Sequence, residues 1–370
     1  KKNKMEDIIL KKVDDIAEQM IKSIIEIVKI DSVETAPLEN APFGSGVKAA
    51  LDATLDLAAS LGFVTTNIDN YIGYASYGES KDYICAIGHL DVVPVGTGWK
   101  QPPFSGYVED GVIYSRGILD NKGPILSCLF ALYALKELKL ELAHEIRIIF
   151  GCDEESGFED LKYYLSKERP PLMGFTPDCK YPVVYGERGR AIIKICGKKD
   201  RLKEFFDLVN NYILNAKNNG ERFNIDFQDQ EFGLLEVRNY QLELDGDPSI
   251  QFSVSYPASV TVETIVNNIK MVVSNFEVNL VGNYDPVKFP LKCKLVKTLV
   301  HTYEKVTGDD GTPVTTTGGT YAKLMPNIVP FGPSFPGQKG IGHQPNEWMT
   351  IEDIITNAKI YALSLYNLAK

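Results

Sequence analysis

An apolar strand, Tyr83 to Ile87, that runs into Gly88-His89-Leu90-Asp91 constrains this chain more than any other stretch. Side chains alternate along a strand, so positions two apart share a face. His89 and Asp91 can therefore converge on the loop that closes the strand. The carboxylate would hold one imidazole nitrogen while the other faces outward. Such a pair fixes the tautomer of a metal-bound His and raises its basicity. The bland alternative is a strand end with two polar loop residues.

Four further segments decide between them. Asp120 sits in Arg116-Gly117-Ile118-Leu119-Asp120-Asn121-Lys122-Gly123-Pro124, a glycine-bounded turn opening an apolar helical run. The strand Ile146–Phe150 runs into Gly151-Cys152-Asp153-Glu154-Glu155. Asp178 follows Pro177, and His343 lies in Gly342-His343-Gln344-Pro345-Asn346-Glu347. Any one acidic loop residue is more often solvated than ligating. The ordered set of oxygen and nitrogen donors from separate loops suits zinc or a similar divalent ion.

The surrounding pattern is alternating α/β. Ile9, Val13, Ile16, Met20, Ile24 and Ile27 recur three and four apart and predict an amphipathic first helix. A second helix is expected from about Gly46 to Leu61, capped by Gly62. Strands are expected at Phe63–Ile68 and Tyr83–Ile87, and Asp110-Gly111 turns a hairpin before Val112–Tyr114. A buried helix covers Ile125–Leu138. Strands alternating with helices predict a mainly parallel sheet with helices on both faces, its ligand site at the carboxyl ends of the strands.

Residues 191–291 carry a separate pattern. A strand (Ala191–Cys196), a helix (Arg201–Leu214), paired strands (Leu234–Leu244 and Ser249–Tyr256) and a helix (Val262–Phe276) predict a small α+β insertion. The chemical motifs flank it, so the catalytic domain is discontinuous, 1–190 and 292–370, and the insertion reads as a lid.

Composition fits a soluble enzyme. Of 370 residues 44% are hydrophobic, enough for two domains and a sizeable core. The net charge of −10, with no basic stripe, argues against nucleic acid or an anionic membrane as partner. The lysines at 1, 2 and 4 read as a flexible, solvated start rather than a targeting signal, and no stretch has membrane-spanning length. The six cysteines show no CxxC spacing, which disfavours disulfides and a structural zinc site. Cytoplasm is the default compartment.

The stretches GHLDVVPVGTGW, PFSGYVEDGVIYSRGILDNKGP, IIFGCDEESG, FTPDCKYPVVYGERG, LVKTLVHTYEKVTGDD, TGGTYAKLMPN and FPGQKGIGHQPNEW resemble, in order, those of the PepV-type dipeptidases. These belong to the dinuclear-zinc peptidase group that includes the ArgE, DapE and carboxypeptidase G enzymes. The resemblance implies two divalent ions, zinc first with manganese or cobalt fitting the same donors, bridged by Asp120 and a water or hydroxide. His89 and Asp178 would complete one ion, Glu155 and His343 the other. Asp91 would orient His89, and Glu154 would be the general base for hydrolysis of a dipeptide amide. A cis peptide is implied at Asp120–Asn121.

The lid departs from that pattern. PepV-type lids are roughly twice this size, and they or a partner's lid supply an oxyanion-binding His. Here the four histidines are at 89, 144, 301 and 343, none in the insertion. An Arg-Tyr-Pro run that grips the substrate carboxylate in the family is matched by Ser255-Tyr256-Pro257, leaving Arg188 and Arg238 as candidate substitutes. Gly318-Gly319-Thr320 lacks phosphate-loop spacing; by resemblance it lies on the substrate-binding side, with Lys323 where relatives often have Arg. Two alternatives to a dipeptidase follow: a hydrolase of N-acyl amino acids or other small amides, or a catalytically weak protein that keeps the metal fold for binding or assembly. A shortened lid also favours a homodimer.

Overall fold

The computed structural model describes residues 2–370, with side-chain surroundings from Lys4 onward. Helix α1 (Lys2–Val28) buries the stripe its spacing predicts, with Ile9, Met20 and Ile24 fully enclosed. It begins earlier than the flexible start expected from the lysines; Lys1 lies outside the described residues. Helix α2 (Ser45–Ser60) ends before Gly62, whose φ of +89° suits the left-handed position after a helix.

The chain forms two compact units, and each is described by itself. The first comprises residues 1–184, 290–313 and 320–370. At its centre is a six-stranded sheet ordered β1 (Val64–Ile68), β2 (Ile72–Tyr77), β6 (Glu145–Gly151), β3 (Tyr83–His89), β7 (Met173–Thr176) and the strand Ile328–Pro330. The pairings β6–β3, β3–β7 and β7 with Ile328–Pro330 are parallel, whereas β1–β2 and β2–β6 are antiparallel. The sheet is thus mixed, its parallel part formed by β6, β3, β7 and Ile328–Pro330. A separate hairpin, β4 (Tyr107–Glu109) and β5 (Val112–Tyr114), turns at Asp110-Gly111, both with positive φ.

Two glycines locate the layers. A Cβ on Gly88 would meet Asn121 Oδ1 at 2.3 Å and Ile125 of helix α3 (Lys122–Glu137) at 2.8 Å. A Cβ on Gly151, the register partner of His89, would meet Asp160 of helix α4 (Glu159–Lys167) at 2.6 Å. Adjacent positions on β3 face opposite sides, so α3 and α4 cover opposite faces. The C-terminal helix Ile351–Ala369 packs against α3 and is buried along most of its length.

The second unit comprises residues 185–289 and 314–319. Its antiparallel sheet is ordered Glu236–Glu243, Ser249–Tyr256, Gly189–Cys196 and Glu277–Tyr284. Phe205 and Leu208 of the helix Leu202–Val209 and Ile265 and Ile269 of the helix Val262–Val272 close its core with Ile193 and Phe252. The helix expected to reach Phe276 stops at Val272, which frees Glu277–Tyr284 to form an edge strand. Val314–Gly319 also joins this unit, tied by the Arg188 N–H to Thr316 O at 3.3 Å.

Among the described residues no helix is long and apolar enough to cross a membrane. All six cysteines are free.

Candidate metal centre

Three parallel strands end side by side, and the chain leaving each one carries donors. β3 ends on His89, which is fully buried. Beyond β6 the turn at Cys152–Asp153 is held by Asp160, whose Oδ2 accepts both backbone N–H groups at 2.8 and 3.2 Å. That turn sets Glu154 and Glu155 beside His89. β7 ends at Thr176 and leads through Pro177 to Asp178. Asp120 arrives just before α3, and the Asp120–Asn121 peptide is cis, as the family resemblance implies.

All five proposed donors and Glu154 meet in one pocket. His89 Nε2 lies 3.0 Å from Asp120 Oδ1, 3.3 Å from Asp178 Oδ2, 3.6 Å from Glu154 Oε2 and 3.8 Å from Glu155 Oε1. His343 Nε2 lies 2.9 Å from Asp120 Oδ2 and 3.1 Å from Glu155 Oε1. Each oxygen of Asp120 therefore faces a different imidazole. Ligands at about 2.0–2.2 Å around a tetrahedral zinc stand roughly 3.3–3.5 Å apart. The observed separations are close to that, so this mixed His–carboxylate set fits divalent cations. Distance alone does not separate Glu154 from the ligands, because it clusters with His89 and Asp178 as readily as Asp120 and Glu155 cluster with His89.

Asp91 does more than the sequence suggests. His89 Nδ1–H donates to the backbone carbonyl of Asp91 at 2.7 Å, with the carboxylate Oδ1 at 3.2 Å. Nε2 is thereby left facing the carboxylates. The Asp91 carboxylate also accepts the N–H groups of Glu154 and Glu155, at 3.2 and 3.0 Å. One side chain thus orients a histidine and the paired glutamates together.

Asn121 and Asp160 escaped the sequence reading. Asn121 Oδ1 accepts the His89 N–H at 3.1 Å, and its Nδ2 donates to Pro177 O at 2.6 Å, joining the His89 and Asp178 segments. Tyr321 Oη donates to Asp160, bracing the turn before Glu154. The one available signal was the polar residue directly after Asp120; the rest depends on partners distant in sequence.

The electrostatics are those of crowded carboxylates. Burial lifts Glu154 well above the usual carboxylate range, and Asp178 adds to this while His89 opposes it. Asp178 is pushed up to about 7 by burial, against the pull of His89. Burial pushes His89 down, but Asp178, Asp91 and Glu154 raise it well above its ordinary value. Hydrogen bonds to Asp120 and Glu155 raise His343 to about 10. Burial alone would raise Asp120, yet the bonds from His343 and His89 hold it below its ordinary value.

The other candidates have partners of their own. His301 pairs with Glu6 at 3.3 Å, and the His144 N–H caps Ala369 O. Within the second unit, buried Arg188 donates through Nε to Phe232 O at 2.8 Å, and Arg238 Nη2 to Thr317 O at 3.0 Å. Ser255 Oγ donates to Thr317 O at 3.3 Å. The Thr320 hydroxyl accepts the Ala322 N–H at the start of the short turn Tyr321–Lys323.

The model of peptidase family M20/M25/M40 matches residues 85–367. The chain belongs to this family. It is thus a metallopeptidase, a hydrolase built on a catalytic domain with an inserted second domain. The Beta-Ala-Xaa dipeptidase of Lactobacillus delbrueckii subsp. lactis is 27% identical, with 95% of this chain and 96% of that protein covered. The structure of human carnosine dipeptidase 1 matches with a TM-score of 0.77 at 16% identity, covering 98% of both chains. YXEP of Bacillus subtilis, described as a dinuclear metal-binding peptidase of the M20 family, matches with a TM-score of 0.64 at 13% identity, over 96% of this chain and 98% of that one. At such identities these structures speak for the M20 fold.

Proposed function

We propose that this M20-family chain is a dipeptidase that hydrolyses the amide bond of dipeptides with two divalent cations, zinc first. The observation that carries the reading is Asp120, whose two oxygens each face a separate histidine. His89 and Asp178 would hold one ion with Asp120, and Glu155 and His343 the other. Bound there, two cations would supply Lewis acidity for a carbonyl and would lower the pKa of a water. Glu154 takes the proton of the attacking water and returns it to the leaving amine. Asp91 keeps His89 in one tautomer and fixes the backbone of Glu154.

Dipeptides are the substrate class because the Lactobacillus relative is a dipeptidase. The alignment with the Lactobacillus enzyme extends over 456 positions while this chain has 370 residues, and we place the shortening in the lid. Ser255 is engaged with Thr317, and the Arg188 guanidinium is engaged with Phe232 O. Those contacts favour a changed carboxylate grip, and with it a second reading: hydrolysis of N-acyl amino acids or other small amides. Exposed Leu280 and Val281 on the edge strand Glu277–Tyr284 support a homodimer through the lid, to be checked by light scattering.

A panel of dipeptides and N-acyl amino acids, assayed with added Zn²⁺, Mn²⁺ or Co²⁺, tests the reading. Turnover of dipeptides, abolished by a chelator and restored by metal, is expected. No turnover of any amide at full metal loading would leave a metal-binding or assembly protein instead.

A further inference from the structure

One buried ion pair touches three of the segments that carry the candidate ligands while reaching none of the donor atoms. Glu347 and Arg116 are each 1% exposed. Glu347 Oε2 accepts three backbone N–H groups, from Gly117 at 3.0 Å, Leu119 at 2.8 Å and Asp120 at 3.0 Å. Its Oε1 accepts from Arg116 Nη1 at 3.0 Å. The same guanidinium donates to Gln344 O at 2.9 Å, next to His343, and to Pro94 O and Val95 O at 3.2 and 3.3 Å, in the loop leaving Asp91. Trp99 covers it, with the ring centroid 5.0 Å from Cζ.

We propose that the Arg116–Glu347 pair is a positioning device that sets Asp120, the Asp91 loop and the His343 loop in their ion-binding arrangement before any cation arrives. This rests on the reading of Asp120 as the shared ligand. The imidazoles of His89 and His343 engage the Asp120 carboxylate, but a backbone free to yield would let that carboxylate drift out of line with the other donors. Three N–H groups converging on one charged oxygen resist that movement, because charge-assisted hydrogen bonds are short and strong. The guanidinium's planar fork reaches several carbonyls that a lysine could not reach together. A neutral glutamine at 347 would weaken the three bonds and leave Arg116 buried without a counter-charge.

Titration of the metal-free protein with Zn²⁺ tests the proposal, with the Co²⁺ absorption spectrum as a second readout. Glu347→Gln is expected to weaken Zn²⁺ binding by about ten- to a hundredfold and to change the Co²⁺ bands, the size of loss typical when a group supporting a ligand is removed. At saturating metal the KM for a dipeptide should stay near that of the parent. Arg116→Lys, which keeps the charge but loses the fork, should shift both readouts in the same direction and by less; it also serves if Glu347→Gln fails to fold. Arg147→Lys, at another buried ion pair, is the control for stability alone and should leave Zn²⁺ affinity unchanged. Parent-like Zn²⁺ affinity in both Glu347→Gln and Arg116→Lys would overturn the proposal, as would an equal loss in Arg147→Lys. A parent protein that binds no Zn²⁺, Mn²⁺ or Co²⁺ would overturn the hydrolase reading and the positioning role with it.

Discussion

Strands β3 and β6 run side by side between two buried polar clusters of opposite character. At their amino ends Arg147 pairs with Glu145 and Glu168 at 3.0 and 3.1 Å, lies over the rings of Tyr83 and Tyr74, and donates to Tyr164 Oη. Tyr83 and Tyr74 hydroxyls complete the set through Arg169 O and Glu168. One guanidinium there bonds both carboxylates, each of them partly open to solvent. At their carboxyl ends the carboxylates of Asp91, Asp120, Glu154, Glu155 and Asp178 share the imidazoles of His89 and His343. That pocket has too little positive charge of its own. A guanidinium bonded to each of its two carboxylates holds the sheet together; five carboxylates around two imidazoles are suited to take up cations.

The sharpest way to break this contrast is to separate chemistry from metal holding. Glu154→Ala should lower kcat by about a hundred- to ten-thousandfold, the range for loss of a general base, with metal content unchanged. Turnover and elemental analysis on the same sample check it. Retained activity would remove Glu154 from the role of base; lost metal would make it a ligand.

Next come matched changes at the two ends. His89→Ala should strip metal from the protein and so abolish turnover. Arg147→Met should instead destabilise by about 3–5 kcal/mol, since it leaves Glu145 and Glu168 without their cation, yet metal content should hold. Denaturant unfolding and elemental analysis separate the two. If Arg147→Met also lost its metal, the ends would not be independent.

Proton uptake gives a third contrast. Glu154 and Asp178, raised by burial, bind protons in the folded metal-free state that the unfolded chain, with carboxylate values near about 4, has released by pH 6. His343, held up at about 10, likewise keeps a proton above the unfolded value of about 6.5. Both terms make the folded state bind more protons, so stability falls as pH rises from about 5 to 8. Asp120, lowered, has its full effect above about pH 4 and does not alter that window. The chelated protein should therefore melt at a lower temperature at pH 8 than at pH 6, and zinc should restore more at pH 8. A chelated protein more stable at pH 8 would contradict the charge imbalance.

How much of this was readable from the chain depends on the range of each interaction. The stripe on α1 and the hairpin at Asp110-Gly111 follow from local spacing and turn chemistry. The donors were legible because each follows a strand or a glycine-marked turn. Ile72–Tyr77 was missed since Gly73, Ala75 and Ser76 have little β-propensity, although it lies inside the sheet. Glu277–Tyr284 was missed because an exposed edge strand has no clear apolar alternation. Asn121 and Glu347 act on residues such as Pro177 and Leu119, contacts that only the folded chain creates. The carbonyl of Asp91 as acceptor for His89 has no side-chain signature at all.

The smallest effect should come from a residue at the metal end that is nonetheless fully partnered. Asp160 receives the Cys152 and Asp153 N–H groups as well as the Tyr321 hydroxyl, and burial lifts it only to about 6 because the Tyr321 hydroxyl and the N–H groups of Cys152 and Leu161 oppose the rise. Tyr321→Phe removes one donor and leaves the turn held by two. The expected loss is about 1 kcal/mol, in line with one hydrogen bond, with metal content intact. Thermal unfolding and elemental analysis decide the point. Should Tyr321→Phe shed metal as His89→Ala does, position at the strand end would matter more than charge balance, and the contrast between the two clusters would have to be redrawn on geometry alone.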